Sequence, residues 1–198
     1  LQRMESIAGI KQVGLTSNML GGWQSSYYVE GAPIPARGQE IYAEYNRISP
    51  NLFQAMGIQL LEGRFFTEHD TKDAPSVVVV DEKFARKWWP DESSVGKRIQ
   101  LHETGPDPNT SWSEVVGVVR HIKHYGVDNF SRESIYLSMY QDVSDFMTLV
   151  VRTQGDPLSL VAPICKIAAQ IDPDVPVYDI QTLQAIGTER SFIRRLTT

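Results

Sequence analysis

Hydrophobic and polar positions change period several times along the chain, and the changes mark out short elements. Leu1, Met4, Ile7 and Ala8 stand at helical spacing, Gly9 ends that run, and Lys11 to Thr16 reads as a strand. Ser17 to Gln39 is rich in Gly, Ser and Pro, which predicts a long loop with one strand inside it, Tyr27 to Glu30. Ile41, Ala43 and Tyr45 alternate with Tyr42, Glu44 and Asn46, the two-residue period of a half-buried strand. The stretch ISPNLFQAMGIQLLEGRFF, Ile48 to Phe66, is closely punctuated. Ser49 is a cap acceptor, Pro50 suits a first helical position and Gly57 suits a left-handed stop, so a two-turn helix is predicted with Leu52, Phe53 and Met56 on one face. Ile58 to Leu61 is then extended, and Gly63 permits a bend.

The second half carries a different texture. Ser76 to Val80 is a β-branched run suited to a buried strand, Asp81 can cap, Glu82 to Trp89 can be helix, and Pro90 follows. Lys97 to Leu101, with Ile99 and Leu101 inward, and Trp112 to Val119 are strands joined by the loop HETGPDPNTS. Ile135 to Met139 and Met147 to Arg152 are two more. Asp156 and Pro157 open a helix that begins near Ser159 or bends at Pro163, because a proline past the first turn removes a hydrogen bond. Val175 to Ile180 is a final strand, followed by a helix from Thr182. Strands mixed with amphipathic helices and joined by hairpin-length links predict an α+β fold with a mixed or antiparallel sheet, not a doubly wound α/β one. There is no internal repeat.

Composition narrows the function classes. At 198 residues, 41% hydrophobic and 22% charged, the chain can bury a core without metal or disulfide. A formal net charge of -5 argues against a nucleic-acid partner, since neutralising phosphates requires a dense basic surface. Cys165 is the single cysteine, and its apolar helical neighbourhood predicts a buried, inert thiol. The longest apolar runs, such as VVVV at Val77 to Val80, are far shorter than the ~20 residues of a membrane span. Leu1 opens straight into LQRMESIAGIKQV without a signal pattern, the beginning expected of a piece cut from something longer.

Candidate chemistry is sparse. His121 and His124 in RHIKHYG are the best metal candidates, but no Cys or spaced acidic motif accompanies them. Ser25 and Ser26 lie in no nucleophile elbow, and the glycines of GLTSNMLGG match no nucleotide fingerprint. Glu68, Asp70 and Asp73 read as solvated acids of a turn after Thr67. Trp88 and Trp89 share one short helix on which at most one fits inward beside Phe84 and Ala85, and Trp23 stands in a Gly-rich loop; each belongs either to the core or to a contact surface. No catalytic, cofactor-binding or metal-ligating residue is assigned, no cofactor is expected and no enzymatic activity is expected.

Six segments occur in a telling order: ISPNLFQAMGIQLLEGRFFTEHD, VVVVDEKFARKWWPDESSVGKRIQL, EVVGVVRHIKHYGV, IYLSMY, MTLVVRTQGDP and IDPDVPVYDIQTL. As an ordered set they resemble the MacB-like periplasmic core domain of FtsX-type ABC transporter permeases over nearly the whole chain. The resemblance implies two lobes: a discontinuous porter-like α/β lobe, 1–62 plus 130–198, and an inserted β-rich lobe, 63–129. It places the Ile48 to Phe66 stretch at the lobe junction. It further implies a non-enzymatic extracytoplasmic domain on the periplasmic face of the bacterial inner membrane, anchored by helices before Leu1 and after Thr198. Its implied role is to couple ATP-driven motion to export of drugs, peptides or lipoproteins, or to a partner protein. The implied partners are a cytoplasmic ATPase subunit or domain, a neighbouring permease half in a dimer and a periplasmic adaptor protein. Arg190, Arg194 and Arg195 pull the other way, since basic juxtamembrane residues ordinarily mark the cytoplasmic side; contact with outer headgroups would reconcile them. A rival expectation is an extracytoplasmic ligand-sensing module that binds a small molecule or peptide between the lobes.

Overall fold

The computed structural model describes residues 1–19, 23–101, 111–122, 132–144, 146–174 and 176–186. In chain order the elements are α1 (Gln2–Glu5), β1 (Ile10–Thr16), β2 (Gln24–Val29), β3 (Tyr42–Ile48), α2 (Leu52–Met56), β4 (Leu60–Gly63), β5 (Val77–Asp81), α3 (Glu82–Trp88), β6 (Arg98–Leu101), β7 (Ser113–Val119), β8 (Ser134–Ser138), β9 (Thr148–Thr153), a 3-10 turn (Pro157–Leu160) and α4 (Val161–Ile171).

The strand pairings close on themselves. β2 pairs with β3 through Gln24 to Ser26 and with β6 through Tyr27 to Val29, and the path continues from β6 through β7, β5 and β8 back to β3. Two of these pairings, β3 with β8 and β5 with β7, are parallel and the rest antiparallel. The result is a six-stranded barrel of mixed sheet, in keeping with the expected α+β class. β4 attaches to β7 outside the ring, and β1 extends the sheet from β3 to β9.

Alternation along β5 accounts for two cores. Val78 and Val80 point into the ring, where every ring strand contributes, as with Tyr27, Ala43, Ile99, Val115 and Ile135, and Phe84 of α3 and Trp89 just after it close one end. Val77 and Val79 point outward onto a second core built from Ile48, Leu52 and Phe53 with Phe66, Val119 and Tyr136. A strand covered on both faces has no solvent side, which is why all five residues of β5 are buried. Both cores and the ring draw on the block 63–129 and on the blocks flanking it: β2 bonds to β6, and β5 to β8. The implied boundaries at 62/63 and 129/130 are therefore not edges of the sheet.

Local details follow the sequence in part. Asp81 caps α3, its Oδ1 accepting from the Phe84 N–H at 2.8 Å, and Gly57 at φ 69° ends α2. Ser49 is no side-chain cap. It is fully buried, and its hydroxyl accepts instead from the Leu15 N–H at 2.8 Å, which ties β1 to the start of α2. β3 is not half-exposed either: Glu44 and Asn46 are buried because β3 lies within the sheet, and Glu44 accepts from Gln24 Nε2 at 3.0 Å. α4 begins at Val161, so Pro163 falls in the first turn, where an amide has no helical partner to lose. Residues 176–180 form no strand, and Val177, Tyr178 and Ile180 are exposed; an alternating pattern becomes a strand only where a neighbour's amides lie in register. Residues 183–186 are helical, with Thr182 Oγ1 accepting from the Ala185 N–H. The loop 102–110 and Arg190, Arg194 and Arg195 lie outside the described residues.

Candidate functional site

A shallow concavity lies beside α3. β2 ends at Val29, Gly31 turns the chain at φ 79°, and Ala32 to Pro35 run along a groove before Ile41 returns toward β3. Trp88 of α3, Trp112 just before β7, and Tyr27 and Tyr28 of β2 also line it. The groove encloses about 160 Å³. It thus joins residues of the block 1–62 with residues of the block 63–129.

Beneath the groove is a buried polar knot. Tyr27 is 1% exposed, and its hydroxyl donates to Glu133 Oε1 at 2.8 Å while accepting from Trp88 Nε1 at 3.1 Å and Lys87 Nζ at 3.0 Å. Lys87 also pairs directly with Glu133, and its ammonium stands 5.6 Å from the Tyr27 ring centroid and 5.8 Å from that of Trp88. The Tyr27 ring meets Trp88 edge-on and packs against Phe84. Burial pushes the Tyr27 hydroxyl well above its ordinary range, so it remains protonated. Burial also works to raise the Glu133 carboxyl, but hydrogen bonds from Lys87, a backbone amide and Tyr27 outweigh it and hold the group below its ordinary value. The polar atoms of Tyr27, Trp88, Lys87 and Glu133 are therefore committed to one another.

The other residues singled out from the sequence have structural settings. His121 Nδ1 contacts the fully buried Asp81, and its backbone N–H donates to Glu82, which also pairs with Arg86 and Arg120. His124 lies outside the described residues. Among the described residues, no group of three or more His, Cys, Asp or Glu side chains is placed to hold a metal ion. Ser26 is fully buried, and Ser25 Oγ donates to the Ser26 carbonyl. Glu68 and Asp73 are exposed as expected, but Asp70 is not a solvated acid. It is buried, accepts from both terminal nitrogens of Arg64 at 2.8 Å and from the Thr67 N–H at 2.7 Å, and has its carboxyl held below the ordinary range chiefly by Arg64. Trp89 is buried and Trp88 bonded to Tyr27, so both pack inward, while Trp23 is 60% exposed. Cys165 is a free, half-buried thiol on α4.

Sequence reasoning passed over Glu133 and Lys87. Glu133 stands 106 positions from the tyrosine it bonds, and nothing in its neighbourhood distinguishes it from a surface acid. For Asp70, the Arg64 spacing was the available signal. Substituting Arg64 with Gln is expected to cost about 1–2 kcal/mol at neutral pH, a figure kept low because the guanidinium is half-exposed. The folded-state value of Asp70 is depressed, so the difference from wild type should be complete above pH 3.8 and shrink as pH falls below it, which urea titrations at several pH values would measure.

Comparison with known proteins gives a consistent picture. Residues 6–181 match the family model described as the MacB-like periplasmic core domain. The periplasmic region of MacB from Actinobacillus actinomycetemcomitans superposes with a TM-score of 0.57 at 18% identity, over 86% of this chain and 71% of that one. The extracellular domain of the noncanonic ABC-type transporter YknZ from Gram-positive bacteria gives 0.58 at 13% identity, over 91% and 86%. A domain assigned to a permease protein of Porphyromonas gingivalis gives 0.57 at 15% identity, over 96% and 86%. No curated protein sequence matches the chain. Among the described residues, no helix is long and apolar enough to cross a membrane.

Proposed function

Because the chain belongs to the family of MacB-like periplasmic core domains, we propose that it is the extracytoplasmic domain of an ABC transporter permease. In this reading it is held at the periplasmic face of the inner membrane and relays ATP-driven motion to exported substrate or to a partner protein. The family match over residues 6–181 carries the reading. The closed ring of strands supports it mechanically: displacement at one strand is resisted by two hydrogen-bonded neighbours, so the domain moves as a stiff body. The division into 1–62 plus 130–198 and an inserted 63–129 fits this reading as two units sharing one sheet. The partners would be a cytoplasmic ATPase, a neighbouring permease half and a periplasmic adaptor. In proteoliposomes holding the full-length permease with its ATPase, replacing residues 10–181 by a flexible linker should leave ATP hydrolysis in place and abolish export of a dye, a peptide or a lipoprotein. Undiminished export of all three would overturn the coupling role.

The groove between the blocks favours a second reading, a ligand-sensing module. A ligand at a hundredfold its Kd would add ~2.7 kcal/mol to the stability of the chain, a shift that thermal unfolding across a metabolite panel would register.

A further inference from the structure

We propose that Glu133 is an acid-operated latch, whose protonation frees Lys87 and Trp88 of α3 from Tyr27 and uncovers that side of the barrel end. The helix is tied to the barrel in two different ways. Near its N-terminus the fully buried Asp81 accepts from the Phe84 N–H, and Phe84 packs against Trp89 in the ring core. On the Lys87–Trp88 side the ties are polar and converge on one carboxyl oxygen. Lys87 pairs with Glu133 Oε1, the Tyr27 hydroxyl donates to the same atom at 2.8 Å, and Trp88 Nε1 and Lys87 Nζ both donate to that hydroxyl.

The charged surroundings of Glu133 are few. Lys87 of α3 and the Tyr27 hydroxyl of β2 face its carboxyl, Glu44 of β3 donates its backbone N–H to the Glu133 carbonyl, and Asp81 of β5 acts by charge on the Tyr27 hydroxyl. Arg132, its chain neighbour, is exposed. Among these side chains that face the carboxyl, Lys87 is the cation. A proton on Glu133 turns an anionic acceptor into a neutral one, so the attraction to Lys87 is lost and the half-exposed ammonium returns to water. The Tyr27 hydroxyl then keeps only a weaker acceptor, and the Trp88 N–H that it holds is loosened with it. Phe84, Trp89 and the Asp81 cap do not depend on Glu133, so the helix stays seated while the Lys87–Trp88 side opens. Burial works to raise the Glu133 carboxyl, but Lys87, a backbone amide and Tyr27 hold it below its ordinary 4.5. The latch is therefore closed above 4.5 and opens as pH falls through the folded-state value.

The test is an acid titration of the 198-residue chain, labelled with fluorotryptophan at its four tryptophans and followed by fluorine NMR. The Trp88 signal is expected to move with one midpoint below 4.5 and to gain a solvent isotope shift in heavy water, while the signal of buried Trp89 stays in place. Glu133→Gln, which carries no titrating proton, should put the Trp88 signal at its acid position already at neutral pH and abolish the titration. Lys87→Met keeps the bond between Tyr27 and Glu133 but removes the cation, so its midpoint should move to higher pH. This second variant decides the matter even where Glu133→Gln fails to fold. Trp88 and Trp89 moving together would mean that the whole domain opens at once and would overturn the latch. So would a midpoint unchanged in Lys87→Met, or a Trp88 titration that survives in Glu133→Gln.

Discussion

Replacing Gly63 with alanine is expected to lower the unfolding free energy by about 4 kcal/mol, the largest effect of any single added methyl group at the described glycines. Two costs combine at this position. Gly63 has φ 71°, a left-handed conformation unfavourable to any residue with a Cβ. Its added carbon would also run into the Val116 carbonyl oxygen and come within 3.0 Å of the Gly117 Cα, both backbone atoms that cannot rotate away. Gly63 and Gly117 are register partners across β4 and β7, so two glycines face each other where the chains approach most closely. The control is Gly31→Ala. That site shares the left-handed φ but has open space around it, so its cost should fall to the conformational contribution, about 1–2 kcal/mol. Urea denaturation of both variants separates the two contributions. Equal losses at Gly63 and Gly31 would show that the β4–β7 approach is looser than described.

The second large effect is expected at Tyr27. Tyr27→Phe removes a hydroxyl that serves three partners and leaves Trp88 Nε1 without its acceptor and Glu133 without one donor, both close under the surface of the barrel. Buried polar groups left unmatched cost roughly 1–3 kcal/mol each, so a loss of about 3 kcal/mol is expected. Lys87→Met should cost less, about 1 kcal/mol, because the lysine side chain is 40% exposed and water screens its pairing. The lysine variant carries a pH signature. Glu133 has a depressed folded-state value, so its stabilisation is complete above its ordinary 4.5 and is lost as pH falls through the folded-state value. The gap between wild type and Lys87→Met should therefore close in that acid window. A gap that stays constant down to pH 3 would place the effect of Lys87 in packing over the Tyr27 and Trp88 rings instead.

Tyr27 and Trp88 belong both to the lining of the groove and to the polar cluster with Lys87 and Glu133.

The sequence by itself determined what is local. The Val77 to Val80 run, the Asp81 cap and the Gly57 stop each depend on atoms within a few positions, so their chemistry is written where it acts. The α+β class was legible for the same reason, from hydrophobic periods and turn residues, and the ordered segments were enough to suggest the family. What only the tertiary structure decided is which strands meet. The ring closes because β2 divides its two halves between β3 and β6, and residues 176–180 form no strand despite their alternating pattern. Glu133 became a buried partner of Tyr27, and Ser49 an acceptor for Leu15, across separations of 106 and 34 residues. Such pairings are set by the free energy of closing the whole sheet over two cores at once, a quantity to which every strand contributes and which no short stretch of sequence contains.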